Sequence, residues 1–375
     1  MIRLKRSLLT IMIGVSAFAP MTFAAESPNS TPTVFVMTND NVKNEVLAYQ
    51  PLRDGSFVLR GHFATGGRGS GGTTDPLQSQ GSLTLSGDHN LLFAINAGSG
   101  TISSFHIFGG LPVLVDQEHT GGAFPVAVAE HDGTVYVLNA GGNGAIVAFH
   151  ADRLGHLFQI PNSTSLLTAT NSGGSAISVS PNGKTLAVIE KGPNNIDTFP
   201  INPDGSLGSV VVNHSVTPGA FSTVFTPNGQ LIVSEDQPNG TDVSSISSYT
   251  LNANGTTTAI SQSVPTLGDG NCWNAITPDG KFVYADNSAT TTIAGFSVGS
   301  NGTLTPISGT IVASYPAGTT NLDMTVGGDG KYLFTLNSGA GTIGIYSINA
   351  NGTLNDLGEI EGLPKTIGFN GIAAL

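Results

Sequence analysis

Short apolar runs recur along the chain from Val34 onward, each closed by Gly, Asn, Asp, Ser or Pro, and none sustains the three-to-four spacing of an amphipathic helix. The pattern predicts β-strands almost throughout. Its punctuation is periodic. A turn signature stands at Ser180-Pro181-Asn182-Gly183, Thr226-Pro227-Asn228-Gly229 and Thr277-Pro278-Asp279-Gly280, with weaker copies ending at His89, Gly133 and Gly330. In chain order the last residues of these six lie 44, 50, 46, 51 and 50 residues apart. That spacing fits one four-stranded propeller blade per repeat.

The chemistry inside each repeat agrees. Pro presets φ for a tight turn and Gly accepts positive φ, so an apolar strand before the turn can fold back on the one after it. The second strand ends at a recurrent polar residue, namely Asn96, Asn139, Glu190, Glu235, Asn287 or Asn337, with Asn39 in the same place near the N-terminus. A third strand follows, as in GTISSFHI, NNIDTFPI and GTIGIYSI. An Asn-Gly or Asp-Gly turn then leads to an outer strand, as in INPDGSLG and INANGTLN. The first segment, from Val34, has no inner strand of its own. At the other end GFNGIAAL aligns with the inner strands NCWNAIT and TNLDMTV and is expected to pair beside Val34 to Thr38. The expected fold is all-β: a seven-bladed β-propeller, four antiparallel strands per blade, closed by its C-terminal strand.

Composition supports a turn-rich β chain, with 50 Gly, 20 Pro and 10% charged residues in 375. Residues 1–24 are set apart, because Arg3, Lys5 and Arg6 precede an apolar run from Leu8 to Ala19, and Thr22-Phe23-Ala24 suits a signal-peptide cleavage site. The run is too short to span a membrane, for which about 20 residues are needed. The expected product is secreted or periplasmic, with a flexible 25–32 and one propeller domain over 33–375. It would carry 10 basic against 25 acidic residues, about −15, which argues against nucleic acid and anionic membranes as partners. A single cysteine, Cys272, excludes an internal disulfide framework. A monomer is expected.

The Pro-Asp-Gly turns followed by strands such as KFVYADNSATTTIAGFSV, with VYVLNAGGNGAIVAF beside them, resemble the seven-bladed lactonase family. That family includes bacterial 6-phosphogluconolactonase and fungal carboxymuconate-lactonizing enzymes, and the repeats are more loosely similar to Tyr-Val-Thr-Asn propellers. The resemblance covers nearly all of Thr33 to Leu375. It implies a polar set at the mouth of the central channel: a His, two Arg and a Glu. Counted from the turn glycines, those positions fall on Ser175, Phe221, Ser288 and Asp236. Only Asp236 keeps usable chemistry, and no arginine follows Arg153. Opening an anionic lactone calls for a cation or donor pair at the developing oxyanion, which this version of the set does not offer.

Other residues are weighed on their own chemistry. Short polar strand-end residues cap loops, but Glu190 and Glu235 are longer and charged and Asp236 follows one of them. A general base is therefore sought among these three. In LGDGNCWNAIT, Trp273 can stack on a flat ligand with Asn271 and Asn274 as hydrogen-bonding groups, or can pack between blades. Asn321, Asp323 and Asn370 fall on inner strands as hydrated lining or as oxygen donors for Ca²⁺ in the channel. No other cofactor is implied. The run GGRGSGG, Gly66 to Gly72, lacks the helix and Lys-Ser/Thr of a nucleotide loop and reads as a flexible insertion whose Arg68 can supply a cation at the mouth. All eight histidines lie between His62 and His214 without ligand spacing, so no zinc site is expected; His119, just before an inner strand, can reach the mouth. Asn239, Asn254, Asn301 and Asn351 head Asn-Gly-Thr sequons, three of them in hairpin turns. Two functions remain: binding of a small polar molecule, such as a sugar or lactone, or of a partner at the channel mouth, or hydrolysis or isomerisation of an unphosphorylated lactone by Asp236 or a nearby Glu. The loss of a His and two Arg favours binding.

Overall fold

The three Pro-containing signatures form the turns their residues favour, with the amides of Gly183, Gly229 and Gly280 donating to the carbonyls of Ser180, Thr226 and Thr277 at 2.8 to 2.9 Å. The computed structural model describes residues 32–375 apart from 73, 238–240, 317, 366 and 367, and among these it shows seven antiparallel sheets and no helix. Each sheet is one blade, numbered here from the N-terminus. The inner strands of blades 2 to 7 are Leu83–Leu85, Ala123–His131, Gly174–Val179, Ala220–Phe225, Asn271–Ile276 and Met324–Val326. Each touches the next, so they line a closed ring.

Blade 1 is completed from the C-terminus. Ile372–Ala374 pairs antiparallel with Val34–Met37 in the register Val34 to Ala374, Phe35 to Ala373 and Val36 to Ile372. Flanking bonds extend the seam: Met37 N donates to Gly371 O at 3.0 Å and Leu375 N to Thr33 O at 3.1 Å. Phe369, Ile372, Ala373 and Ala374 are all buried there.

Blade 3 departs from four strands, because its outer strand is broken into Leu157–Gln159 and Ser165–Leu166. Pro161 in the gap has no N–H for the ladder. Ser163 bridges the break with its hydroxyl, which donates to Ala148 O and accepts from Ala148 N.

Adjacent blades are latched by a recurring device. The hairpin glycines Gly205, Gly255, Gly302 and Gly352 hold φ between +82° and +88°, a region other residues enter only with strain. Their carbonyls accept from Tyr136 Oη, Thr198 Oγ1, Ser248 Oγ and Tyr284 Oη of the preceding blade at 2.6 to 3.0 Å. The sequons at Asn254, Asn301 and Asn351 occupy these same hairpins, where each side-chain oxygen accepts the amide two residues on. Asn239 lies outside the described residues. Between blades, buried aliphatic and aromatic side chains such as Phe93, Phe105 and Val135 fill the interfaces.

Candidate functional site

The inner strands of blades 3 to 6 each carry one extra residue at the same height, so Val126, Ser175, Phe221 and Cys272 are bulged out of their ladders. Such a bulge leaves backbone groups unpaired and re-aims a side chain. Two of the four bulges have their carbonyl satisfied by one segment, which also reaches the inner strand of blade 6 beyond its bulge. Ser79 Oγ donates to Val126 O at 2.9 Å and Gln80 N to Ser175 O at 2.9 Å, while Gln80 Nε2 donates to Asn274 O at 2.5 Å. A third bulge carbonyl, Phe221 O, accepts from Ser175 Oγ at 2.5 Å. The stretch Asp75–Gln80 therefore crosses the channel mouth as a strap, where the sequence suggested a loop between blades.

The glycine run before it is not a flexible spacer. A Cβ on Gly67 would lie 2.4 Å from Asn96 Cγ, and one on Gly69 would lie 2.2 Å from the Asn39 carbonyl carbon. Glycine is required there by close approach of chain to chain. Arg68 is fixed through its backbone, which accepts the amides of Gly98 and Ser99, and its exposed side chain makes no bond to Asp236 among the described residues.

The cation of the mouth is instead Lys191, which carries no motif of its own in the sequence. Its Nζ donates to Gln78 O at 2.9 Å and Gln78 Oε1 at 3.1 Å, and stands 4.8 Å from the centroid of the Phe221 ring. Phe221 in turn meets Trp273 edge-on at 5.4 Å. Burial pulls the Lys191 ammonium below its ordinary pKa, opposed by the negative charges of Asp75 and Asp236. Asp236 is half-buried and pushed up by burial, with Lys191 drawing it back down. Burial pushes Asp75 up to about 6, and Asn370 Nδ2 donates to its Oδ1 at 3.3 Å. A signal for Lys191 existed: it follows Glu190 as Asp236 follows Glu235.

The other candidates divide. Trp273 is 1% exposed, with Nε1 donating to Ser79 O at 3.0 Å, so it is packed under the strap and offers no open stacking face. Asn271 and Asn274 are buried and reach sideways, Asn271 Nδ2 to Ser245 O at 2.5 Å and Asn274 Nδ2 to Ser234 Oγ at 3.0 Å. Asn321, Asp323 and Asn370 have oxygens engaged by the protein: Asn321 accepts from Asp323 N, Asp323 from Met324 N and Ile372 N, and Asn370 from Ser82 Oγ. No three His, Cys, Asp or Glu among the described residues are grouped to hold a metal ion. His119 ends the outer strand of blade 2, opposite Thr101 and exposed.

Glu190 and Glu235 belong to the blade interfaces. The strand-end residues are fully buried, and Asn96, Asn287 and Asn337 donate to Thr101, Thr292 and Thr342 at the start of the third strand. Glu235 fills this place with a carboxylate that accepts from Ser215, Ser245 and Ser247 at 2.5 to 2.9 Å. Burial nevertheless leaves it above its ordinary pKa. Glu190 accepts from Thr168 N and Oγ1, and its other oxygen faces Asp197. Burial and the neighbouring Glu190 carboxylate push Asp197 up to about 8. A pure interface role predicts that Glu235→Gln, which puts an amide N–H₂ where hydroxyls now donate, costs about 1–3 kcal/mol in urea unfolding. An undiminished midpoint would contradict this.

Known proteins share this geometry to different depths. The family model "Lactonase, 7-bladed beta-propeller" matches residues 117–365. The chain belongs to the seven-bladed β-propeller lactonase family. This lactonase-family propeller is similar in structure to a candidate 6-phosphogluconolactonase of Bacteroides uniformis, at TM-score 0.71 and 19% identity over 92% of this chain and 100% of that one. A periplasmic gluconolactonase of Pseudomonas aeruginosa matches at TM-score 0.68 and 15% identity, over 92% and 99% of the two chains. Hydrazine synthase of Kuenenia stuttgartiensis matches at TM-score 0.60 and 16% identity over 89% and 99%. At such identities the likeness is one of fold, and the fold hosts unrelated chemistries. Among curated proteins the sequence has no significant match. Within the lactonase propeller the family's expected polar positions are altered in kind: Ser175 ties blade 4 to blade 5, Phe221 is an apolar floor under Lys191, and Ser288 Oγ donates to Gly270 O at 3.2 Å.

Proposed function

We propose that this propeller is an exported, monomeric protein that binds a small polar molecule, of the sugar or lactone kind, at the channel mouth. The observation that carries the reading is Lys191, a half-buried ammonium that feels the charges of Asp75 and Asp236 and stands over the Phe221 ring. A desolvated ammonium beside apolar rings and convergent polar groups is what orients a small polar ligand. Two neighbours of known structure carry gluconolactonase names, which makes sugar lactones and their open acids the first molecules to try.

A second reading, lactone hydrolysis, is favoured by one observation: Asp236 and Lys191 sense each other's charge. A raised carboxylate can take a proton from water, and an ammonium can stabilise the oxyanion that forms. Proton release by residues 25–375 on a panel of unphosphorylated sugar lactones separates the two. Turnover lost in Asp236→Asn, by at least the roughly hundredfold expected of a general base, supports hydrolysis. Binding without turnover supports the first reading, and neither binding nor turnover across the panel overturns both.

A further inference from the structure

The strap poses a chemical puzzle, since it occupies the ammonium, the indole and the inner-strand carbonyls that the site would present to a ligand. Gln78 offers two oxygens to Lys191 Nζ, and Ser79 offers its carbonyl to Trp273 Nε1. Ser79 Oγ, Gln80 N and Gln80 Nε2 supply donors to the carbonyls of Val126, Ser175 and Asn274. The side-chain amide of Gln80 also accepts from Asn274 N at 3.4 Å, so it pairs with the inner strand of blade 6 as a neighbouring peptide group would. Acceptors therefore meet the ammonium and the indole, and donors meet carbonyls of three inner strands. A polyhydroxylated molecule with one anionic or carbonyl end presents the same pattern.

The manner in which the strap is held also matters. Apart from Leu77, which is buried in the core shared by blades 1 to 3, the bonds that hold it are hydrogen bonds. Asp75 and Gln78 sit at φ +33° and +50°, a region that non-glycine residues enter at a cost. Gly72 and Gly81, with φ of +105° and +90°, flank it on either side. Within reach of the charges of Asp75 and Asp236 lies Cys272, a half-buried, bulged residue whose thiol is pushed well above its ordinary pKa by burial and by those two carboxylates. The single Trp of the chain is thus bonded under this segment, and the single Cys is the residue before that Trp.

We propose that Asp75–Gln80 is a displaceable strap that holds the place of the ligand at the channel mouth and swings out when the ligand binds. The proposal rests on the reading of the mouth as a ligand site. Binding then carries the cost of opening, so the apparent affinity equals the intrinsic one reduced by the fraction of open molecules.

The test uses the native thiol. In residues 25–375 the rate of Cys272 modification by a small maleimide is measured without denaturant in the wild type, Gln80→Ala and Gln78→Ala, with urea unfolding of each in parallel. Gln80→Ala removes two bonds to blade 6 and is expected to speed modification by roughly tenfold or more, with the unfolding midpoint little changed. It is also expected to tighten calorimetric binding of gluconate by a similar factor. Modification that is no faster in either variant, or that tracks global unfolding, overturns the strap. Should Gln80→Ala fail to fold, Gln78→Ala carries the test, because its side chain is exposed. Faster modification with no gluconate binding in any variant leaves the strap standing and counts against gluconate-type ligands at the mouth. A permanent structural plug predicts equal or weaker gluconate binding in the variants.

Discussion

Removing Phe369–Leu375 is expected to leave no soluble, cooperatively folded propeller. The segment is short, yet it supplies the inner strand of blade 1 and three backbone pairs to Val34, Phe35 and Val36. Burial of Phe369 and Ile372 alone is worth about 3–5 and 2–5 kcal/mol, judged by core truncations to alanine. Set against a total stability of about 5–15 kcal/mol, that loss is most of the margin. Truncation also exposes the Val34–Met37 edge, a row of unpaired N–H and C=O groups on an apolar strand that invites aggregation. Soluble yield and urea unfolding of the truncated chain check this. A truncated protein with a native-like cooperative transition would show that the ring does not depend on its seam.

The second large effect is on pH. Burial pushes Asp323 up to about 8, and burial with the Glu190 contact pushes Asp197 to about 8, against about 3.9 for an Asp in an unfolded chain. Asp75, at about 6, moves the same way. Between about pH 4 and 8 the folded state therefore binds more protons than the unfolded one, and stability falls as pH rises through that window before levelling off above it. A tenfold difference in proton affinity between the folded and unfolded states is worth about 1.4 kcal/mol, so even a fraction of these displacements makes the fall several kcal/mol between pH 5 and 8.5. The lowered surface carboxylates, such as Asp88, act in the opposite sense and only near or below pH 4. Asp323→Asn removes one of the three groups and should flatten the profile, making the variant relatively more stable at pH 8.5 than at pH 5. Urea midpoints across pH 5 to 8.5 for both proteins settle it; a wild-type midpoint that rises with pH would show that these carboxyls are ionised in the folded state.

Much of the fold was legible because its signals are local. Pro-Asn-Gly and Asn-Gly turns announce hairpins wherever they stand, and their period counts the blades. Even the seam could be read, since GFNGIAAL matches the inner-strand pattern while the first blade lacks one. The broken outer strand of blade 3 was missed although Pro161 marks it, because an interrupted edge strand looks like an ordinary loop in sequence. At the mouth, locality fails. Asp236 and Trp273 drew notice through their own neighbourhoods, but Lys191 matters through Asp75, Phe221 and Gln78, which come from other parts of the chain. Glycines in GGRGSGG suggest mobility when read alone; their real constraint is the nearness of Asn39 and Asn96, which no window of sequence contains. Glu190 and Glu235 likewise looked like bases because their partners, Asp197 and the serines at 215, 245 and 247, come into reach only when strands and blades pair.

If a small polar molecule is held at the mouth through Lys191, calorimetric titration of residues 25–375 with gluconate and glucono-lactone must distinguish the wild type from Lys191→Met. Removing a charged hydrogen bond worth about 1.5–3 kcal/mol predicts an affinity roughly ten- to a hundredfold weaker in the variant. Binding of equal strength in the two proteins would place the ligand elsewhere and remove Lys191 from any role in holding it.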